Sequence, residues 1–271
     1  MIIICDSKDI LLREYLLQFF SRSMIKEIKL NGSIKVNNKA VTVRYKLNYH
    51  DEIEIELPKE ESKIIPEDIP LNIVYEDDYY LIVDKESNMA VMPTRSHPSG
   101  ILANALMNYY LNNNINTTVH LVNRLDVETS GLMVVAKHGY YHYLLSKDIK
   151  QVNRIYHTIV EGIIDEPGVI DKPIYKIDKQ MQRIIDDRGK KSITYYRPLK
   201  HINGNTLLEV KLQTGRTHQI RVHFSSLNHP IVGDQLYGSK IDKDLYLRSV
   251  EVSFIHPITK ELIKVNTIDK Y

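Results

Sequence analysis

The chain has 271 residues, 43% hydrophobic and 26% charged, with a net charge of +2 at pH 7. These are the proportions of an ordinary folded protein, and the length fits a main domain with a smaller companion. No run approaches 18 apolar residues, so a membrane span is excluded; the single cysteine, Cys5, permits no internal disulfide, and a reducing cytoplasm is the expected location.

The N-terminal "MIIICDSKDILLREYLL" has no basic stretch ahead of its short apolar run and no small-residue cleavage site, so it reads as mature sequence and not as a signal peptide. "LLREYLLQFF" places Leu12, Tyr15, Leu16, Phe19 and Phe20 on one helical stripe. A second helix follows in "SRSMIKEIK", with Ser21 or Ser23 as its N-cap, Ile25 and Ile28 as its apolar contacts and Asn31-Gly32 as its stop. Period-two alternation then marks strands in "SIKVNNKAVTVRYKL", turning at Asn37-Asn38, and in "DEIEIEL". From Ser21 to His50 there are seven Lys/Arg against one acid, Glu27. Such a basic cluster in a near-neutral chain is the electrostatic footprint of polyanion binding.

Residues 1–57 thus form a compact basic α/β module. On "SRSMIKEIKLNGSIKVNNKAV" followed by "HDEIEI" it resembles the small RNA-binding domain first known from a ribosomal small-subunit protein. The resemblance implies that the second helix and the loop after it hold structured RNA by its phosphates, with Arg22, Lys26, Lys29 and Lys35 as contacts. A helix–hairpin dimerisation domain is the alternative.

Residues 58–70, "PKEESKIIPEDIP", carry three prolines and four acids and read as an acidic linker. A second domain, residues 71–271, opens with strands in "NIVYE" and "YLIVDK". Helices are predicted in "ILANALMNYYL" and "GYYHYLLSKDI", and strands in "RIYHTIVEGII", "SITYYRPLK" and "TLLEVKLQTG". A further helix in "THQIRVHFSSLN" stops before Pro230. A second basic cluster, eight Lys/Arg against three Asp, lies between Lys176 and His201. Strands outnumber helices and the two are interspersed, which gives α+β with a large mixed, mainly antiparallel sheet.

Three stretches carry chemistry. In "HLVNRLDVETSGLMVVAK", Asp126 lies in a loop just ahead of Leu132–Ala136, an apolar run typical of a strand buried on both faces. A carboxylate there needs a cation, and a partner from elsewhere than Arg124, two residues away, is expected. In "NRIYHTIVEGII", Tyr156, Thr158 and Val160 share one face of a strand, so Tyr156 is either core or a platform for a base. In "LQTGRTHQIRVHFSSLNHPIVGD", Gly215 is placed to take positive φ and Thr217 to cap the helix. Arg221 is expected at the edge of that helix's stripe of Ile220, Phe224 and Leu227, with His218 on the same polar side. Pairing Asp126 with Arg221 would satisfy both. His218, His223 and His229 are spaced by five and six residues, wrong for neighbouring metal ligands on a helix, so no metal is expected. No phosphate-binding loop, dinucleotide fingerprint or serine-hydrolase elbow is complete.

Taken together, "RLDVETSGLMVVAK", "RIYHTIVEG" and "TGRTHQIRVHFSSLNHPIVGD" resemble the signature regions of the RluA-type pseudouridine synthases, as do "LNIVYEDDYYLIVDK" and "HPSGILANAL" upstream. The resemblance spans about residues 71 to 271. It implies isomerisation of uridine in RNA, large-subunit ribosomal RNA before transfer RNA, with base flipping and no cofactor. Asp126 matches the essential aspartate, Tyr156 the tyrosine that stacks on the flipped base, and Arg221 the arginine that keeps the aspartate ionised and oriented. Arg124, Arg216 and His218 fall on positions expected to touch RNA. The sequence departs from the family in Asn123, where His is usual, and in "KESNM" at residues 85–89. A catalytically weak RNA-binding or ribosome-assembly protein on the same fold is the runner-up. A non-RNA enzyme with Asp126 as nucleophile is a third reading, which leaves the basic module unexplained. A monomer is the default.

Overall fold

The computed structural model describes residues 1–147, 151–178 and 180–267. The chain divides into two compact units, Met1–Glu61 and Ser62–Tyr271.

In the first unit the strands are β1 (Ile2–Ile4), β2 (Ile10–Leu11), β3 (Ser33–Val36), β4 (Lys39–Ala40), β5 (Lys46–Leu47) and β6 (Glu52–Glu56). A four-stranded sheet runs β1-β6-β3-β4, and β2 pairs with β5. Helix α1 (Leu12–Leu16) is half the length that its sequence stripe predicts, the chain turning at Leu17–Phe20. The stripe still works, because Leu12, Tyr15, Leu16 and Phe20 are all buried. Helix α2 (Arg22–Asn31) is capped by Ser21, whose hydroxyl accepts from the Met24 N–H at 3.2 Å, and it ends at Gly32. Asn37 and Asn38 take φ of 50° and 64°, the left-handed pair that a two-residue hairpin turn needs, and both are of the residue type that tolerates it. Ile25 and Ile28 bury one face of α2, leaving Arg22, Lys26 and Lys29 exposed on the other.

The second unit carries β7 (Ile73–Glu76), β8 (Tyr80–Lys85), α3 (Leu102–Asn112), β9 (His120–Leu121), β10 (Ser130–Ala136), α4 (Gly139–Ser146) and β11 (Asn153–Glu161). It continues through β12 (Gly168–Asp171), β13 (Ile174–Lys176), β14 (Arg183–Ile185), β15 (Ile193–Ile202), β16 (Asn205–Leu212), α5 (Gln219–Ser225), β17 (Leu247–Ile255) and β18 (Leu262–Asn266). The last two residues of the helix predicted over 139–149 lie outside the described residues. Ten strands form one sheet in the order β12-β15-β16-β11-β17-β10-β8-β7, with β18 on β17 and β9 on β10. Every described pairing in it is antiparallel except β10 with β17. The fold is therefore α+β on a mainly antiparallel sheet. Among the described residues no helix is long and apolar enough to cross a membrane.

The runs "YLIVDK" and "GLMVVA" are buried throughout as the adjacent interior strands β8 and β10. Leu81, Val83, Met133 and Val135 pack with Leu106 and Tyr110 of α3 and Phe224 of α5 into the main core. Gly131, at φ 108°, has a specific task where β10 meets β17: a Cβ there would lie 2.2 Å from the Ser249 carbonyl oxygen. Only glycine permits that parallel approach.

The segment expected as a linker does not behave as one beyond Glu61. The Asn104 side chain donates to the Ile65 carbonyl at 2.7 Å, the Glu67 N–H donates to the Asn104 carbonyl at 3.2 Å, and the Glu67 carboxylate accepts from the Gly100 N–H at 3.0 Å. Ile64 packs against the core. Prolines and acids kept these residues out of regular structure, but backbone carbonyls and one isoleucine were enough to bind them to α3.

Candidate active site

Asp126 belongs to a loop of residues 122–129 that joins β9 to β10. Asn123 fixes this loop. Its side-chain oxygen accepts from the Val134 N–H at 2.7 Å and its amide donates to the Leu132 carbonyl at 3.5 Å, so one buried side chain continues the β9–β10 ladder beyond its last backbone pair. The "KESNM" departure grips the same loop from the other side. The buried Lys85 ammonium donates to the carbonyls of Glu86, Met89 and Val127 at 2.8, 2.9 and 3.1 Å, and the Ser87 hydroxyl donates to the Glu128 carbonyl at 2.6 Å. Burial pulls the Lys85 pKa down to about 8, against the attraction of Asp126 and Glu128.

The loop forms one wall of a cleft of about 530 Å³ whose lining includes Arg124, Asp126, Arg154, Tyr156, Arg216, His218 and Arg221. Three elements meet here: the loop before β10, the start of β11, and the turn into α5. Tyr156 is almost fully buried yet faces the cleft. Burial raises its pKa, Arg154 pulling it down and Asp126 adding to the rise, so the phenol is neutral at physiological pH.

The arginine's geometry differs from the expected pair. Arg221 is buried, not at the edge of its stripe, and its main partner is Asp234, which it grips with two hydrogen bonds of 2.7 and 2.8 Å. Its remaining terminal nitrogen lies 3.0 Å from Glu128 and 3.9 Å from Asp126. A buried guanidinium needs a carboxylate in hydrogen-bonding geometry, and fully buried Asp234 supplies one from the same local segment, thirteen residues on. Burial works against the Arg221 charge, but the Asp234 bonds outweigh it and raise its pKa.

Asp126 is consequently not held as a strongly acidic carboxylate. Burial pushes its pKa up to about 6; Arg221 pulls it down, while Glu128 and Asp234 push it further up. It is more basic than an ordinary carboxylate and still ionises at neutral pH. His218 lies 4.0 Å away and does not form an ion pair with it, because burial and then Arg221 lower the imidazole pKa to about 4. The Tyr237 hydroxyl accepts from the Arg183 N–H at 2.8 Å and sits 2.8 Å from His218 Nδ1.

The cap of α5 also departs from expectation. Gly215 does not take a left-handed conformation and Thr217 makes no capping bond; His218 occupies the N-cap with φ 56°. The Gln219 side chain takes up the capping work, accepting from the Arg216 N–H at 3.0 Å and donating to the Ile193 carbonyl at 3.0 Å. Arg124 and Arg216 are exposed and line both this cleft and an adjoining one of about 470 Å³. The second cleft is also lined by Lys176, Arg183, Arg188 and Lys190 and, among the described residues, by no carboxylate. Arg22, Lys26, Lys29 and Lys35 lie in the first unit; Lys35 is paired with Glu54 at 3.3 Å. Sequence reasoning missed Lys85, Glu128, Arg154, Asp234 and Tyr237. Among the described residues no group of three His, Cys, Asp or Glu side chains could hold a metal.

Residues 79–226 match the family described as RNA pseudouridylate synthase. This protein belongs to that family. The matched span holds Asp126, Tyr156 and Arg221 but stops short of Asp234. The chain is 38% identical over 251 residues to an uncharacterized RNA pseudouridine synthase, YjbO, of Bacillus subtilis (strain 168), covering 89% of this chain and 88% of that one. It is 36% identical over 226 residues to ribosomal large subunit pseudouridine synthase D of Escherichia coli (strain K12), covering 82% and 69%. Two solved structures share the fold. Human RNA Pseudouridylate Synthase Domain Containing 1 has a TM-score of 0.61 at 24% identity, covering 74% of this chain and 84% of its own. Human RNA Pseudouridylate Synthase Domain Containing 4 has a TM-score of 0.57 at 22% identity, covering 73% and 88%. The chain is an RluA-type RNA pseudouridine synthase, an enzyme that acts on RNA.

Proposed function

We propose that this synthase converts uridine to pseudouridine in large-subunit ribosomal RNA, and that Asp126 is the group that acts on the ribose. The observation that carries the site assignment is the position of Asp126: a carboxylate with a pKa pushed up to about 6, beside a buried arginine, in a cleft that Tyr156 also lines. The names of relatives such as the Escherichia coli enzyme favour the ribosomal substrate.

The reacting atoms of a stacked uridine are out of reach, so the nucleotide must turn out of the helix into the cleft. Tyr156 offers its ring as a stacking surface, a contact of about 1–3 kcal/mol. Asp126, ionised at neutral pH, faces the ribose as the C1′–N1 bond breaks, and the base is rejoined through C5. Arg221, clamped by Asp234, keeps a fixed positive charge beside Asp126 through the cycle. Arg124 and Arg216 sit where the cleft opens into the basic one, suited to the phosphates on either side of the target; His218 lies neutral in the first cleft. Arg22, Lys26, Lys29 and Lys35 of the first unit add a second contact with RNA.

The test is tritium release from RNA labelled at uracil C5, using ribosomal RNA from a strain lacking the gene. The wild-type protein releases tritium and Asp126→Asn releases none while still binding the RNA. Release by the variant at the wild-type rate refutes the role of Asp126. Wild-type release only from transfer RNA refutes the ribosomal assignment, and binding without release from any RNA favours the assembly-protein alternative.

A further inference from the structure

Arg154 is the one cation of the cleft wall that the site described above does not use. It opens the buried face of β11 that continues through Tyr156, and it is itself only 7% exposed. Its Nε is buried without a hydrogen-bond partner, and among the described residues the guanidinium makes no hydrogen bond or ion pair. A buried Nε–H with no acceptor is costly, and the terminal nitrogens of Arg154 are left to face the cleft it lines. The chain also makes room for it. A Cβ on Gly215, on the opposite wall, would come within 3.3 Å of an Arg154 terminal nitrogen, so that glycine lets the guanidinium lie across the cleft. Between Arg154 and Tyr156 the β11–β17 ladder slips by one residue, Ile155 facing Glu251 and Tyr156 facing Ser249. Such a bulge re-aims the side chains beside it.

We infer that Arg154 is a catalytic residue that holds a carbonyl oxygen of the flipped uracil and takes up the negative charge of the base once it is detached. The inference rests on the uridine reading of the cleft. When the C1′–N1 bond breaks, its electron pair goes to N1 of the uracil and spreads over O2 and O4. A guanidinium two residues along the strand from the stacking ring is placed at the edge of the base, where those oxygens lie. It donates hydrogen bonds, which strengthen as charge accumulates on a base that has displaced the water of the cleft. The electron pair is used when C5 bonds to C1′; the C5 proton then leaves to water and N1 takes up a proton, so the product base is neutral.

The experiment is single-turnover tritium release with excess enzyme on C5-labelled ribosomal RNA from the deletion strain, comparing wild type with Arg154→Lys, Arg154→Gln and Arg154→Met. The expected result is a maximal rate lower by about 100-fold in the Gln and Met variants, the size seen when one preorganised donor is lost. The Lys variant falls between, and the enzyme concentration for half-maximal rate moves less than threefold. Thermal melting supplies a readout that a structural role would move the other way: the Met variant melts at or above the wild-type temperature, because it removes a buried charge that had no partner. An undiminished rate in Arg154→Gln overturns the inference while leaving the uridine reading standing. A loss confined to the half-maximal concentration also overturns it, and assigns Arg154 to an RNA phosphate. Lower melting in all three variants makes it structural, and no release by wild type removes the reading on which it rests.

Discussion

Replacing Asp126 by Asn should inactivate the protein and, at neutral pH, stabilise it. The carboxyl has a folded pKa of about 6 against an ordinary value of 3.8, so the folded state prefers it protonated. Below pH 3.8 the group is protonated in both states and contributes nothing. Between pH 3.8 and about 6 the unfolded chain ionises first and stability is lost as pH rises. Above about 6 the whole penalty is present. About two pKa units correspond to roughly 3 kcal/mol. That is an upper bound, because the side chain is 26% exposed to the water of the cleft, which screens its charge. Asn approximates the neutral acid in shape and removes the penalty. For a unit of about 200 residues this corresponds to a rise in melting temperature of roughly 5–10 °C at most. The assay is thermal unfolding of both proteins from pH 4 to pH 8, following the transition of the larger unit. The variant should lead by several degrees at pH 8, and the lead should shrink toward zero at pH 4. A lead that is constant with pH, or a variant less stable at pH 8, refutes the argument that burial dominates the energetics of this carboxylate.

The same shift predicts that tritium release by the wild-type enzyme falls on the acid side with a single ionisation near pH 6; a limb near pH 4 would contradict it. Asp234→Asn removes the two-bond partner of a buried guanidinium and should cost about 3–5 kcal/mol in urea unfolding. It should also move the acid limb of the rate profile to lower pH, because Asp234 raises the Asp126 pKa and the released Arg221 turns toward Asp126. Asn123→Ala strands the buried Val134 N–H and should cost about 1–3 kcal/mol; an unchanged urea midpoint would show that water replaces the side chain there.

Most of the sheet was legible because burial leaves a pattern. β8 and β10 are buried on both faces and read as continuous apolar runs, and β11 and β16 were equally plain. β13 and β14 were not, being three residues each in the basic stretch and paired with one another. β17 escaped because its buried positions include Arg248 and Ser249, which break the apolar pattern. Arg248 satisfies itself on Asp84 at 2.6 Å, a partner 164 residues away that no local pattern could suggest. Arg154 did leave a signal: the alternation Tyr156, Thr158, Val160 extends backward onto it and places a cation on a buried face. Asp234 left a weaker one, as the acid closing the quoted stretch that contains Arg221.

Asn123 and Asp234 bear on one question, how a loop carboxylate is kept both fixed and reactive. Had Arg221 gripped Asp126 with two short bonds, the attraction would have lowered the carboxylate pKa and tied up its lone pairs. Asp234 takes those two bonds instead and leaves one terminal nitrogen, which sits closer to Glu128 than to Asp126. The position of Asp126 is then set by the backbone of its loop, held by Asn123 on one side and Lys85 on the other, with no direct clamp on the carboxylate among the described residues. Orientation and charge compensation are thereby assigned to different groups. Burial is left as the largest influence on Asp126, and its oxygens face the cleft with the basicity of an acid near pKa 6.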